Sequence, residues 1–362
     1  MKRILVTGAG GTAALNFTRS LRMAGEPFHL IGVDSNPHYL VRTETDEAHL
    51  VPRADDPEYL AIIRQVIDET GAELIFAQPD VEIAVLSEHR EELGTRTFWP
   101  RRETVAVCQD KYGTYSLWNK AGLRVPDTKM LRVPADLKAF MEEHGDVWLR
   151  AVRGAAGKGS FHTSNLDQAL AWIQFNGGWE TFSAAEYLSP DSVTWQSIWN
   201  HGELVVAQSR RRLYWEFGDR APSGITGITG AAVTVSDKQV DEISVHAIRA
   251  VDRQPHGIFS VDLTYDSEGV PNPTEINIGR FFTTHLFFTV AGLNMPDIAV
   301  RLAYGEPTPK LDKKVNPLPA GLLWVRGMDK DPVLTRPSML QRSKDDLEAR
   351  RAEHRQTRLV RV

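Results

Sequence analysis

An apolar run at residues 2–7 ends in Gly8-Ala-Gly10-Gly11-Thr-Ala13, and apolar positions at helical spacing continue through Met23. The pattern predicts a buried strand, a tight turn and an amphipathic helix. Residues 28–33 predict a second strand ending at Asp34, residues 57–70 a helix, and residues 74–77 a third strand. Strands alternating with helices pack as a parallel sheet with helices on its faces. Pro100 closes this first unit.

A second unit opens at Thr104 with a helix running to Lys120. It stops at Ala121-Gly-Leu-Arg-Val-Pro126, where Gly122 can cap a helix and Pro126 cannot continue one. A helix at 135–144, a strand at 147–152, a helix at 166–174 and a strand at 181–188 follow, and Ser189-Pro190-Asp191 breaks the last. Long strands then alternate with turns, at 193–199, at 204–209 and in a hairpin. From Ser343 the tail is rich in Arg, Glu and Asp and predicts a solvated helix with a short terminal strand. Boundaries accordingly fall at 1–103, 104–186, 187–310 and 311–362.

The hairpin carries the most informative chemistry. Phe259-Ser-Val-Asp262-Leu-Thr-Tyr alternates apolar and polar residues, Asp266-Ser-Glu-Gly269 supplies the turn, and Thr274-Glu275-Ile-Asn277-Ile resumes the alternation. Glu275 and Asn277 share a face, and Asp262 on the neighbouring strand reaches the same point. Three oxygen donors beside Arg280 suit Mg²⁺, which prefers hard oxygens and keeps positions for water and phosphate. A polar hairpin facing water is the plain alternative.

Two glycine-rich segments compete for a phosphate. Gly8-x-Gly10-x-x-Ala13 after the first strand, with Asp34 ending the second, matches a dinucleotide fingerprint, but any tight strand–helix turn favours glycine. Arg153-Gly154-Ala-Ala-Gly157-Lys158-Gly159-Ser160 follows a strand that carries Arg150. Its backbone N–H groups can fold over a polyphosphate, with Arg150, Arg153 and Lys158 as charges. It is not a Walker loop, because Gly159 follows the Gly-Lys pair. Glu186-Tyr187-Leu188 with Asp191 is an extended segment between units; its backbone can read an adenine edge, and an acid beyond it can hold ribose hydroxyls.

Composition narrows the field. At 362 residues the chain has room for two or three domains, and 42% hydrophobic with 25% charged residues is ordinary for a globular protein. A net charge of -5 argues against broad nucleic-acid binding. No apolar run approaches the ~20 residues of a membrane span, and the N-terminal apolar run is too short for a signal peptide. Cys108 is the single cysteine, which excludes an internal disulfide and a multi-Cys zinc site and reads as a small buried hydrophobe. A cytoplasmic location is expected.

Taken in order, Gln109-Asp110-Lys111, the Lys120–Pro126 run, Arg150 with its glycine loop, Glu186-Tyr-Leu188, Asp262 and Glu275-Ile-Asn277-x-x-Arg280 resemble the ATP-grasp superfamily, in the branch of the carbamoyl-phosphate synthase large subunit and biotin carboxylase. The resemblance spans roughly residues 1 to 305 and implies an α/β first domain, Rossmann-like with a parallel sheet, followed by a two-lobed α+β ATP-grasp domain. In that family the first domain contributes to the pocket for the non-nucleotide substrate, which turns Gly8–Ala13 away from NAD.

The resemblance further implies ATP and Mg²⁺ as cofactors, one or two ions, with Mn²⁺ allowed in their place. Lys111 and Arg150 would contact phosphates under the Gly154–Ser160 loop (Gly157, Lys158 and Gly159 within it). Glu186, Tyr187 and Leu188 would border adenine, and Asp191 stands where the ribose acid belongs. Asp262, Glu275 and Asn277 would hold the metal, and Arg280 would steady the transferring phosphoryl or acyl phosphate. Two departures from the family are Arg150 in place of Lys and Pro190-Asp191 in place of its Gly and ribose Glu. The implied reaction is ligation of a small carboxylate to an amine through an acyl phosphate, with a homodimer allowed. Of Arg210, Arg211 and Arg212, alternation along a strand expects two in water and one inward, and Arg212 is offered for catalysis. The segment 214–227 is long enough to wrap a carboxylate substrate, with Arg220 as its clamp. Asn16, Asp80 and Glu82, expected at strand ends, are offered for amine recognition. The rivals are a small-molecule kinase on the same scaffold, a Rossmann oxidoreductase and a non-catalytic nucleotide binder.

Overall fold

The computed structural model describes residues 1–154, 157, 159–327, 333 and 335–360. The first unit runs β1 (Lys2–Thr7), α1 (Thr12–Arg22), β2 (Phe28–Asp34), α2 (Pro37–Leu40), β3 (Glu47–Leu50), α3 (Tyr59–Thr70), β4 (Leu74–Phe76), α4 (Asp80–Glu88) and β5 (Arg96–Thr97). Its strands form one parallel sheet in the order β3-β2-β1-β4-β5. Gly71 ends α3 in the left-handed region at φ 64°, a conformation that costs glycine little. The strand β3 was not anticipated, because Glu47-Ala-His-Leu50 is short and lies at the sheet edge with only Leu50 buried.

The chain then forms α5 (Arg102–Cys108), α6 (Lys111–Lys120), β6 (Thr128–Met130), α7 (Pro134–His144), β7 (Val147–Ala151), β8 (Phe161–Thr163), α8 (Leu166–Phe175) and β9 (Phe182–Glu186). β6 to β9 build a small antiparallel sheet ordered β6-β9-β7-β8, with its own apolar core around Leu131, Leu137, Leu149 and Ile173. α5 and α6 pack mainly on the large lobe, against β14 and α9, and α6 also touches β6 of the small sheet.

The large lobe comprises β10 (Ser192–Asn200), β11 (Glu203–Trp215), β12 (Thr229–Val235), α9 (Lys238–Val251), β13 (Gly257–Tyr265), β14 (Pro271–Ile278), α10 (Leu286–Val290), α11 (Met295–Ala303), β15 (Leu323–Val325) and the tail helix α12 (Pro337–Val360). Six antiparallel strands lie in the order β14-β13-β10-β11-β12-β15. β11 is 13 residues long and carries all three arginines, where the pattern predicted a strand ending at 209. Helix continues to Val360, so the described tail has no terminal strand. Trp195, Trp199 and Val261 on one face of the sheet share a core with Leu5, Ile83 and Val105. The first unit and the large lobe are therefore welded through apolar contacts, while the small sheet stands on a separate core. Among the described residues no helix is long and apolar enough to cross a membrane.

Candidate functional site

The opposite face of the large sheet is polar and carries the site. In register across four strands lie Arg210, Thr194, Asp262 and Glu275; the row beside it is Gln208, Gln196, Ser260 and Asn277. Two-residue alternation puts both rows on one face. The Thr194 hydroxyl donates to Asp262 Oδ1 at 2.5 Å, and Asn277 Nδ2 donates to Asp262 Oδ2 at 2.9 Å. The hairpin thus brings Asp262, Glu275 and Asn277 together as the alternation predicted. Facing carboxylates on adjacent strands repel unless a cation lies between or beside them.

The cations are present. Lys111 Nζ lies 3.6 Å from Glu275 Oε2 and donates to the Gly154 carbonyl at 2.6 Å, so one ammonium ties the glycine loop to the hairpin. Arg150 donates through both terminal nitrogens to the Thr274 carbonyl at 3.1 Å, and its Nε has no partner. Burial lowers the Arg150 pKa, and Glu275 opposes that shift. Arg212 stacks on Trp215 at 3.7 Å, donates to Ser192 at 2.7 Å and approaches Asp262 at 3.8 Å.

Arg280 has protein partners that the sequence did not indicate. Its Nε and Nη2 meet the Asp80 carboxylate at 2.5 and 3.0 Å, and Nη2 also donates to Asn277 Oδ1 at 2.7 Å. Burial by itself would lower its pKa; the carboxylates of Asp80, then Glu275 and Asp262, together raise it and hold the guanidinium charged. Arg280 is therefore the joint between the first turn of α4 and the β13–β14 hairpin.

The arginine triplet reverses the predicted count. Arg210 and Arg212 both face inward and Arg211 lies half-buried over Tyr265, because residues two apart on β11 share a face and that face is covered. Arg210 is 2% exposed, its guanidinium lies over Phe282 at 4.4 Å, and Nε and Nη1 make no hydrogen bond. Burial, then the charge of Arg212, pushes its pKa down to about 9. Arg220 is exposed on a single 3₁₀ turn (Gly218–Arg220), its guanidinium over Phe217, with no bond to the hairpin. Tyr214 and Trp215 belong to β11, so the loop begins at Glu216.

At the small lobe, Gly157 lies against Ile225, so the glycine loop meets the 216–228 segment of the large lobe. The Ser160 N–H donates to the Gly157 carbonyl at 3.0 Å, and the Gly159 carbonyl accepts from Trp172 at 2.9 Å. Lys158 lies outside the described residues. At the hinge, Glu186 ends β9 with its carboxylate 3.9 Å from His144. The exposed Tyr187 stacks on His162 at 3.7 Å, and among the described residues neither backbone group of Leu188 has a backbone partner. Asp191 is exposed just beyond.

Asn16 sits within α1 and donates to the Thr283 carbonyl at 2.6 Å, and Asp80 and Glu82 open α4; none of the three is at a strand end. The pattern missed α4, whose mixed order of polar and apolar residues gives no clear helical stripe. Thr194 was missed too, although its alternation with Val193 and Trp195 was readable.

Residues 4–97 match a family model described as the PylC-like N-terminal domain. No curated protein matches the chain. Among solved structures it is similar to biotin carboxylase from Campylobacter jejuni, complexed with β,γ-ATP, at 17% identity and a TM-score of 0.66 over 85% of this chain and 72% of that one. It is similar to the biotin carboxylase domain of Hydrogenobacter thermophilus 2-oxoglutarate carboxylase with MgADP, ADP and bicarbonate, at 16% and 0.66 over 89% and 73%. It is also similar to the L-amino acid ligase of Bacillus licheniformis, at 13% and 0.63 over 84% and 74%. The fold is the ATP-grasp fold.

An ATP-grasp arrangement gives the first glycine turn a structural task. The N–H groups of Ala9, Gly10 and Gly11 bond to Val33 O, Asp34 Oδ2 and Gly8 O at 3.0, 3.1 and 2.8 Å. A Cβ on Gly10 would lie 2.0 Å from the Tyr39 carbonyl oxygen. The amides and the carboxylate that a dinucleotide would need are already used to close the turn on α2.

Among the described residues no cluster of three or more His, Cys, Asp or Glu side chains has metal-binding geometry. The candidate donor set is two carboxylates and an amide, all oxygen. Asp262 and Glu275 keep 26% and 29% of their side chains exposed, so both can be reached by a hard cation.

Proposed function

We propose that the protein is an ATP- and Mg²⁺-dependent carboxylate–amine ligase acting on small molecules. The observation that carries this reading is the convergence of Lys111, Gly154, Arg150 and Glu275 at one point beside Asp262 and Asn277. A separate small lobe bears the glycine loop and a welded pair of units bears the hairpin, so ATP has a cleft between bodies that can close. The Hydrogenobacter relative holds MgADP, and the Bacillus relative is an amino acid ligase.

In the reaction a carboxylate oxygen attacks the γ-phosphorus and ADP leaves. The amine lone pair then attacks the acyl carbon, phosphate departs with the C–O bonding pair, and the amine proton passes to solvent or a nearby base. Asp262, Glu275 and Asn277 would hold Mg²⁺, which supplies charge neutralisation at the phosphates. Lys111 and Arg150 bind phosphate oxygens, Leu188 offers both backbone groups to adenine, and Arg280 brings charge to the transferring group. No covalent link to the protein is needed, because positioning and charge lower the barrier. The glycine loop closing on the 216–228 segment excludes water, which would hydrolyse an acyl phosphate. Arg210, with two bare nitrogens beside this row, replaces Arg220 as the residue we assign to the substrate carboxylate.

A phosphate-release screen with ATP and Mg²⁺ over pairs of carboxylic acids and amines tests the reading. Phosphate should appear only when acid and amine are both present, and Glu275→Ala should abolish it with the thermal midpoint kept. ADP without free phosphate would make the protein a kinase, and turnover retained in Glu275→Ala would refute the metal assignment. Light scattering would decide whether the working form is a homodimer.

A further inference from the structure

The glycine loop joins β7 to β8, and side chains from outside it hold both of its ends. At the front, Lys111 Nζ donates to the Gly154 carbonyl at 2.6 Å. At the rear, the indole N–H of Trp172 donates to the Gly159 carbonyl at 2.9 Å. Trp172 comes from α8, whose Ala169 and Ile173 are fully buried in the core of the small lobe. Its ring stacks on Phe161, the first residue of β8, with 4.9 Å between centroids and 26° between planes. The rear of the loop is thus tied to the core of the small lobe through one aromatic side chain.

That bond governs one peptide unit. Gly159 has φ +79°, in a region where glycine moves freely, so its own chain does little to fix the plane of the peptide that follows. In a trans peptide the carbonyl and the next N–H point opposite ways. With the Gly159 carbonyl turned to α8, the Ser160 N–H points back into the loop, where the Gly157 carbonyl accepts it at 3.0 Å. Gly157 in turn lies against Ile225 of the large lobe. Trp172 therefore acts, through one peptide and one turn, on the part of the loop that faces the large lobe. The indole is only partly buried, so water can take the place of the carbonyl and the bond adds little to stability.

We propose that Trp172 is a positioning residue for phosphate binding: its indole N–H sets the rear peptide of the glycine loop, and the loop closes on the β- and γ-phosphates of a nucleotide about that fixed stem. This rests on the assignment of the loop to ATP in the ligase reading. In that reading Lys111, which also lies 3.6 Å from Glu275, turns to the phosphates when ATP enters. The rear post is then what keeps the loop in place during closure. Without the indole N–H the freed peptide must be ordered at the moment of binding, which lowers ATP affinity about tenfold.

Displacement of a fluorescent ATP analogue from the full chain, by ATP with Mg²⁺ and separately by AMP, tests this. AMP keeps adenine and ribose and lacks the two phosphates under the loop. Trp172→Phe retains a ring against Phe161 and removes the donor. It should weaken ATP about tenfold, leave AMP within about twofold and keep the thermal midpoint. Trp179→Phe is the matched control: it removes from the same lobe an indole N–H that bonds Gln174 at 3.3 Å, and it should change neither nucleotide. Unchanged ATP affinity in Trp172→Phe would overturn the proposal. So would an equal loss of ATP and AMP, the mark of a merely structural role, or a matching loss of ATP affinity in Trp179→Phe. Wild-type ATP binding no tighter than AMP would overturn it together with the assignment of the loop. Phosphate release that needs both acid and amine, alongside unchanged ATP affinity in Trp172→Phe, would sink this inference and leave the ligase reading standing. A selective loss of ATP in Trp172→Phe, with no phosphate release from any acid–amine pair in the wild type, would do the reverse.

Discussion

The Arg280–Asp80 pair offers the sharpest energetic test, since it joins the first unit to the β13–β14 hairpin. The two side chains keep 14% and 25% exposure, and the carboxylate takes two guanidinium nitrogens at 2.5 and 3.0 Å. Removing one partner of a buried pair costs roughly 3–5 kcal/mol, and the partial exposure of Asp80 reduces this to about 2–3 kcal/mol for Asp80→Ala. At about 2.1 cal/mol/K of unfolding entropy per residue, that corresponds to a midpoint drop of about 3–4 °C. Arg280→Met removes the cation and keeps much of its packing. A double-mutant cycle by chemical denaturation should then return a coupling of about 2 kcal/mol. Turnover should fall in both single variants, because Asn277 loses the guanidinium that orients its oxygen. A coupling below about 0.5 kcal/mol, the level of an exposed pair, would refute the reasoning.

Three further predictions follow from the geometry. Lys111→Met should raise KM for ATP at least tenfold, because the ammonium that joins Gly154 to Glu275 is lost, and steady-state kinetics at saturating acid and amine would show it. His285, fully buried, has its pKa lowered to about 4 by burial. Its neutral form stabilises the fold above the unfolded value near 6.5, and this contribution is lost as pH falls from 6.5 towards 4, by up to about 3 kcal/mol; denaturation of His285→Asn across that window should show a slope smaller by one proton. Gly10→Ala forces a Cβ to 2.0 Å from the Tyr39 carbonyl and should destabilise by about 1–3 kcal/mol, whereas Gly11→Ala, whose nearest neighbour would lie at 3.1 Å, should cost less in the same assay.

Along the chain, the alternation of Asp262, Glu275 and Asn277 was enough to put three oxygen donors on one face of a hairpin. The order of Lys111, Arg150, the glycine loop and the Glu186 hinge was enough to point to the ATP-grasp fold. Both are local matters: a period of two sets a strand face, and loop composition follows from the backbone it must allow. Strand partners are not local. That Arg210 and Thr194 lie in line with Asp262 and Glu275 depends on β10 and β11 pairing in one particular register. That Arg210 is buried depends on Phe282, far along the chain, covering that face. Arg280 pairing with Asp80, across 200 residues, likewise required the first unit to dock on the large sheet. Sequence thus determined which residues carry charge and which strand face they take. Only tertiary packing decided which charges are shielded from water, as at Arg210 and Arg280.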